Sequence, residues 1–290
     1  MAPDVLCIGS VLWDVIGRAP RTMVKGSDVP GRITRIPGGV ALNIAMTLRR
    51  FGLVPALLSA VGRDAEGDEL VAACEVLGLV TDHLYRSDDL PTDRYMAVEG
   101  AGELIAAIAD AHSLEAAGAK VLRPLEGALT GWDGPVALDG NLTEALLAEI
   151  AASPLFARAD LRVAPASPGK AERLLPLLRH PGATIYVNRE EAGLVAKTDP
   201  PDAEAGARDL LARGATRVLV TDGSRLAALG TAEGIVTRRP REVMVRRVTG
   251  AGDTFMAAHI AAEMRGEGRE RALDTALRAA AEYVSGEGGE

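Results

Sequence analysis

A chain of 290 residues can bury one large core or two smaller ones, and 48% hydrophobic with 25% charged residues is an ordinary globular balance. The formal net charge of -8, from 32 basic and 40 acidic side chains, argues against a nucleic-acid partner, because neutralising a phosphate backbone needs a basic patch. Cys7 and Cys74 make neither a disulfide framework nor a metal-ligand spacing, and the longest uncharged run, residues 36–48, is 13 residues, too short to cross a bilayer, as is the run at residues 51–62. With no basic region, apolar stretch and cleavage site at the amino terminus, these features predict a soluble, cytoplasmic protein with no membrane partner.

Along the chain, Val5, Leu6, Cys7 and Ile8 form a short apolar run closed by Gly9 and Ser10, as expected of a strand buried on both faces. Strand-like pieces follow up to Ile36, then Pro37-Gly38-Gly39, then a helical spacing of Ala41, Ile44, Ala45 and Leu48. Residues 55–61 predict another strand and 68–77 another helix, the alternation of a sheet with helices packed on it. Between residues 82 and 110 the rhythm changes to short strand-like pieces around 83–86, 94–99 and 103–108, the last two joined by Gly100-Ala101-Gly102 as in a hairpin. With the pieces at 11–36 they predict a small second sheet beside the main one. The alternation then resumes, with strands at 135–139, 159–163, 184–188 and 217–221. Helices are expected at 142–152, 170–178, 203–213, 252–265 and 269–284, and residues 285–290 as a frayed tail.

The strongest chemical signal is Thr249-Gly250-Ala251-Gly252-Asp253-Thr254-Phe255 followed by an apolar helical run. Glycines let backbone approach a ligand closely, and a helix start presents unpaired N–H groups and the positive end of a dipole. An Asp there can take a proton from an attacking hydroxyl, which is what phosphoryl transfer requires beside an anion cradle. It can equally be a plain helix cap. A second glycine turn, Gly38-Gly39, precedes a helix carrying Asn43, a residue type disfavoured inside helices. Asp14, Asp139 with Asn141, and Asn188-Arg189-Glu190-Glu191 each fall just past a predicted strand, where open α/β sheets bind ligands. There is no Gly-x-x-x-x-Gly-Lys-Ser/Thr loop, no full Gly-x-Gly-x-x-Gly pattern and no His/Cys cluster, which removes Walker-type, dinucleotide and zinc readings.

These segments resemble the signatures of the ribokinase-like (PfkB) carbohydrate kinase family over nearly the whole chain: Gly38-Gly39-Val40-Ala41-Leu42-Asn43, Asn188-x-x-Glu191, and residues 248–255. The resemblance implies one α/β domain over residues 1–290, a three-layer sandwich with a mainly parallel central sheet and a small β-sheet lid at about 11–36 and 82–110. It implies ATP and Mg²⁺ as cofactors and a sugar or nucleoside as substrate. It assigns Asp253 as the base, and the N–H groups of Gly250, Ala251, Gly252 and Asp253 as the anion hole. Asp14, Gly38, Gly39 and Asn43 would hold the acceptor. Asn188 and Glu191 would organise Mg²⁺ through water. Thr221, Gly223, Thr249, Ala279 and Tyr283 would line the nucleotide side. By analogy the lid would also clasp a second copy into a homodimer.

Departures from the family pattern are Arg247, where an acidic residue is common, Leu226 and Leu12. Arg247 weighs against monovalent-cation activation and Leu12 against free ribose. The lid stretch Pro91-Thr92-Asp93-Arg94-Tyr95, the run Leu138-Asp139-Gly140-Asn141, and Ser167-Pro168-Gly169-Lys170 are similar to the pseudouridine kinase branch. That similarity implies phosphorylation of pseudouridine, with Thr92, Asn141 and Lys170 near the substrate. For Thr92 strand packing competes with ligand contact, and for Lys170 a solvated helix start does. Another sugar or nucleoside kinase of the family, or a nucleoside-binding regulator without turnover, are the alternatives.

Overall fold

The computed structural model describes residues 2–26 and 28–287. In chain order its first half runs β1 (Val5–Ile8), β2 (Leu12–Ala19), β3 (Arg32–Gly38), α1 (Val40–Arg50), β4 (Pro55–Leu58), β5 (Ala60–Gly62) and α2 (Ala65–Val76). Next come β6 (Tyr85–Ser87), β7 (Arg94–Gly100), β8 (Glu103–Asp110), α3 (His112–Ala117), β9 (Val136–Asp139) and α4 (Glu144–Ala152). The remainder is β10 (Leu161–Ala164), β11 (Ala183–Asn188), α5 (Arg189–Ala196), α6 (Ala203–Ala212), β12 (Arg217–Thr221), β13 (Ala227–Thr231), β14 (Gly234–Arg238), α7 (Ala251–Met264) and α8 (Arg269–Ser285).

The main sheet has the order β14-β13-β12-β11-β10-β9-β1-β4, parallel from β4 to β12 and antiparallel through β13 and β14. Its central strands are mainly apolar because both faces are covered, with Asp139 of β9 and Arg162 of β10 the buried charged residues among them. Side chains alternate across the sheet, so Leu6 and Ile8 join one core with α4, α5 and α6, while Val5 and Cys7 join the other with α1, α2, α7 and α8. Each Leu or Ile sealed this way contributes about 1.5–3 kcal/mol. Parallel pairing also puts the carboxyl ends of β1, β9, β10, β11 and β12 along one edge, and that edge holds the polar residues discussed below.

The second sheet, β3-β2-β7-β8, rises from the same edge. It joins two distant hairpins through a parallel pairing of β2 with β7.

The expected elements need correction in several places, and α3 and α5 come in addition to the expected helices. Residues 55–61 are two strands in different sheets, and β6 pairs with β5 rather than with the lid, so residues 82–90 are not lid. The 170–178 helix is a 3-10 stretch, Pro168–Leu177, because Pro176 removes an N–H donor and clashes one turn back. The β13–β14 hairpin was not anticipated. Of the predicted tail, Ser285 closes α8, and residues 288–290 lie outside the described residues.

Candidate active site

The site is built around a buried carboxylate. Asp139, fully buried at the end of β9, accepts hydrogen bonds from Ser10 N–H and Ser10 Oγ, both at 2.7 Å, from Ala41 N–H at 3.1 Å and from Asn141 N–H at 2.5 Å. Ser10 Oγ also accepts from Val40 N–H and Asn141 Nδ2, each at 2.9 Å. One carboxylate and one hydroxyl thus tie β1, β9 and the start of α1 together. They also use up the first N–H groups of α1, so this helix start is sealed by protein. Glycine is required at two of these joints. A Cβ on Gly9 would lie 2.3 Å from Asp139 Oδ2, and one on Gly39, at φ 100°, 2.5 Å from the Ser10 carbonyl oxygen.

The start of α7 is different. Gly250, at φ 87°, precedes it with no side-chain cap. Ala251 N–H donates to the Val248 carbonyl at 3.0 Å, whereas Gly250, Gly252 and Asp253 have no N–H partner among the described residues. The cradle expected from all four residues therefore narrows to three donors at a dipole's positive end. Asp253 stands half-buried beside them, and its Oδ2 accepts from Asn43 Nδ2 at 2.9 Å. Burial pushes its carboxyl up to about 7, opposed by the Asn43 bond and reinforced by the charges of Asp139, Asp14 and Glu191. A carboxylate held this way is a stronger base than one in water.

Asp14 comes from the lid, on β2 between Ile36 and Tyr95 in register. Burial raises its carboxyl to about 6. Gly38 faces it so closely that an added Cβ would sit 2.1 Å from Asp14 Oδ2. Gly38 thus abuts Asp14, Asn43 abuts Asp253, and the Asp14 charge reaches Asp253, which draws the four residues together where lid and main sheet meet.

Asn141 accepts from Lys170 Nζ at 2.6 Å. Burial and the neighbouring Arg173 charge lower the Lys170 pKa. Arg173, missed in the sequence, donates to the carbonyl of Asn141 at 3.2 Å and pairs with Glu115 at 2.9 Å. Thr92 is placed apart: it is buried, and its hydroxyl and N–H both donate to Asp64, the cap of α2, at 2.6 and 2.8 Å. It lies in the loop before β7 and braces the start of α2, a setting that is neither strand packing nor ligand contact.

Asn188 and Glu191 lock each other in a capping box at the start of α5. Glu191 N–H donates to Asn188 Oδ1 and Asn188 N–H to Glu191 Oε2, both at 2.8 Å. Burial raises the Glu191 carboxyl. Among the described residues no three His, Cys, Asp or Glu side chains gather as a direct metal cage. The box leaves Glu191 Oε1 free of it, a donor set that suits Mg²⁺ carried on phosphates with its own waters. Thr221 ends β12 beside Asn188, and Gly223, at φ 57°, turns the chain after it. Ala279 packs on the core shared with α7. Tyr283 lies against the loop before Gly250, its hydroxyl donating to the Thr249 carbonyl at 2.9 Å.

Known proteins match this architecture. The family of pfkB carbohydrate kinases matches residues 2–290. A pseudouridine kinase of Escherichia coli is 29% identical over 87% of this chain and 81% of its own length. A guanosine-inosine kinase of Exiguobacterium acetylicum is 29% identical over 97% of this chain and 94% of its own. In structure, a carbohydrate kinase from Agrobacterium tumefaciens superposes with a TM-score of 0.83 at 24% identity, covering 100% of this chain and 94% of that one. With a match that runs almost end to end, the chain belongs to the pfkB family and is an ATP-dependent carbohydrate or nucleoside kinase.

Proposed function

We propose that the protein transfers the γ-phosphoryl group of ATP to the 5′-hydroxyl of pseudouridine. The observation that carries the chemistry is Asp253, a carboxylate of raised basicity at a helix start with three unpaired N–H groups, facing Asn43 and Asp14 across one cleft. Asp253 takes the proton of the acceptor hydroxyl as its oxygen bonds to the γ-phosphorus, while the bond from that phosphorus to the β,γ-bridging oxygen breaks and ADP leaves. Gly250, Gly252 and Asp253 N–H groups face the charge that builds on the moving phosphoryl oxygens. Asp14 offers two acceptor oxygens to a vicinal diol, and Gly38 leaves room for the sugar. Asn188 and Glu191 would hold Mg²⁺ through water, and the ion would supply positive charge against the triphosphate. Thr221, Gly223 and Ala279 flank the nucleotide.

Pseudouridine is supported by the similarity to the Escherichia coli enzyme and by Asn141 and Lys170 lying next to the cleft. A purine nucleoside is the second reading, supported by the nearly full-length similarity to the guanosine-inosine kinase. A coupled ADP-release assay over pseudouridine, uridine, guanosine, inosine, ribose and fructose 6-phosphate separates them. Pseudouridine is expected to give the highest kcat/KM. Equal or faster turnover of a purine nucleoside or a free sugar would reassign the substrate.

The lid face opposite Asp14 supports pairing with a second copy. Ile33, Met96 and Ile108 share that face and are 80%, 49% and 63% exposed, more apolar surface than a lone sheet ordinarily shows water. Light scattering should give twice the chain mass for the native protein and a monomer for Ile108→Glu. An unchanged mass in both would remove the lid from any interface.

A further inference from the structure

Tyr283 was expected on the nucleotide side, yet its hydroxyl is spent on the backbone of the cradle. It donates to the Thr249 carbonyl oxygen at 2.9 Å. The peptide from Thr249 to Gly250 is trans and planar, so its C=O and N–H point in opposite directions. Anchoring the carbonyl on one side therefore aims the Gly250 N–H to the other. That N–H has no partner among the described residues. The fit is close: a Cβ on Gly250 would come 2.6 Å from the Tyr283 hydroxyl and 3.2 Å from Cζ, and φ is 87° there. Glycine at 250 is thus what allows the phenol to reach the peptide.

The tyrosine ring is itself clamped. The Arg247 guanidinium lies over it, 4.0 Å from the ring centroid, and Arg247 Nε donates to the Tyr283 carbonyl at 2.9 Å. The N–H groups of Arg246 and Arg247 both donate to the Val284 carbonyl, at 2.9 and 3.2 Å. The last turns of α8 therefore strap the whole segment from Arg246 to Gly250. Arg247, which departs from the family pattern, supplies a fixed positive charge in that strap.

We propose that Tyr283, clamped by Arg247, is a positioning residue that orients the Gly250 N–H toward the transferring phosphoryl group. This rests on the reading of the α7 start as the anion cradle. A device that aims one donor works on the transition state, where charge on the phosphoryl oxygens is greatest, and hardly on the ground state.

The test compares Tyr283→Phe, Arg247→Ala, Gly250→Ala and the double variant Tyr283→Phe/Gly250→Ala, with Asp253→Asn as the control for the cradle reading. Tyr283→Phe should lower kcat about 10-fold while KM for ATP and for the nucleoside stays within about threefold. Its affinity for ADP alone should be unchanged, and its affinity for ADP with aluminium fluoride, a mimic of the moving phosphoryl group, should fall in step with kcat. Arg247→Ala should show the same pattern more weakly. In the double variant the two losses should not multiply, since each disturbs the same peptide. A kcat within twofold of the wild type for Tyr283→Phe, losses that multiply, or ADP affinity falling together with the aluminium fluoride complex would overturn the proposal. Full activity of Asp253→Asn would instead sink the cradle reading itself.

Discussion

Asp253→Asn is expected to lower turnover by about 100-fold or more, leave nucleoside binding nearly intact, and raise the melting temperature above pH 7. The first two effects follow from removing the proton acceptor while keeping the N–H cradle and the partner Asn43. The third follows from linkage. Asp253 titrates near 7 in the fold against 3.8 as a free side chain. Between those values the folded protein holds a proton that the unfolded chain has released, so stability falls as pH rises through this window, and the full penalty is present above 7. A neutral amide carries no such penalty. The same value predicts that kcat/KM climbs as pH passes through about 7, because only the ionised carboxylate accepts a proton. Calorimetry at pH 5 and pH 8 with a pH–rate profile checks all three. A variant that keeps its turnover, or loses it without gaining stability at pH 8, would remove Asp253 from the role of base.

The second large effect lies at the other end of α7. Glu263 is ten residues beyond Asp253 in the sequence, about 15 Å along the helix. Its carboxylate pairs with Arg162 of β10 and Arg217 of β12. Arg162 is almost fully buried and also pairs with Asp160 at 2.6 Å. Arg162 donates to the Tyr186 hydroxyl at 3.2 Å, and that hydroxyl shares a hydrogen bond of 2.8 Å with His259 Nδ1. The other ring nitrogen, Nε2, is buried without a partner among the described residues. Glu263→Ala leaves two arginines short of a counter-charge and should destabilise the fold by about 3 kcal/mol in urea unfolding. A change under about 0.5 kcal/mol would show the cluster to be dispensable.

Acid should do the same work gradually. Glu263 is lowered to about 2 from 4.5, so its contribution is complete above 4.5 and is lost as pH falls toward 2. His259, buried neutral, is lowered to about 3 from 6.5. The unfolded chain therefore takes up a proton there first, and stability also declines as pH falls from 6.5 to 3. The two groups act in the same direction.

Most of the frame was legible because parallel strands buried on both faces write unbroken apolar runs, as in Val5 to Ile8 and Val218 to Val220. The β13–β14 hairpin was not, since Ala227–Thr231 is short, rich in Ala and Gly, and carries no helix to mark a crossover. Nor could spacing show that Pro168–Leu177 tightens into a 3-10 stretch, or that β6 crosses to β5, because partner choice is tertiary. Asp14, Gly38, Asn43 and Asp253 could be nominated from glycine turns and strand ends, and Gly38 does lie against Asp14 and Asn43 does bond Asp253. Ser10 was passed over as turn punctuation, although its hydroxyl holds Val40, Asn141 and Asp139 together. Ala251 was counted as a donor, but whether an N–H in a glycine turn is free depends on the turn's own closure, here onto Val248. Tyr283 escaped its actual setting because an aromatic on an amphipathic helix carries no sign of the backbone carbonyl it will meet.

Both lid hairpins are excursions: one leaves after β1 and returns at α1, the other leaves after β6 and returns at α3. Insertions or deletions within either can lengthen, shorten or re-tip the cover without shifting the register of a single strand in the eight-stranded sheet. On the proposed function, what the lid adds to the acceptor side can in this way be revised by evolution, or by a protein engineer, separately from the start of α7.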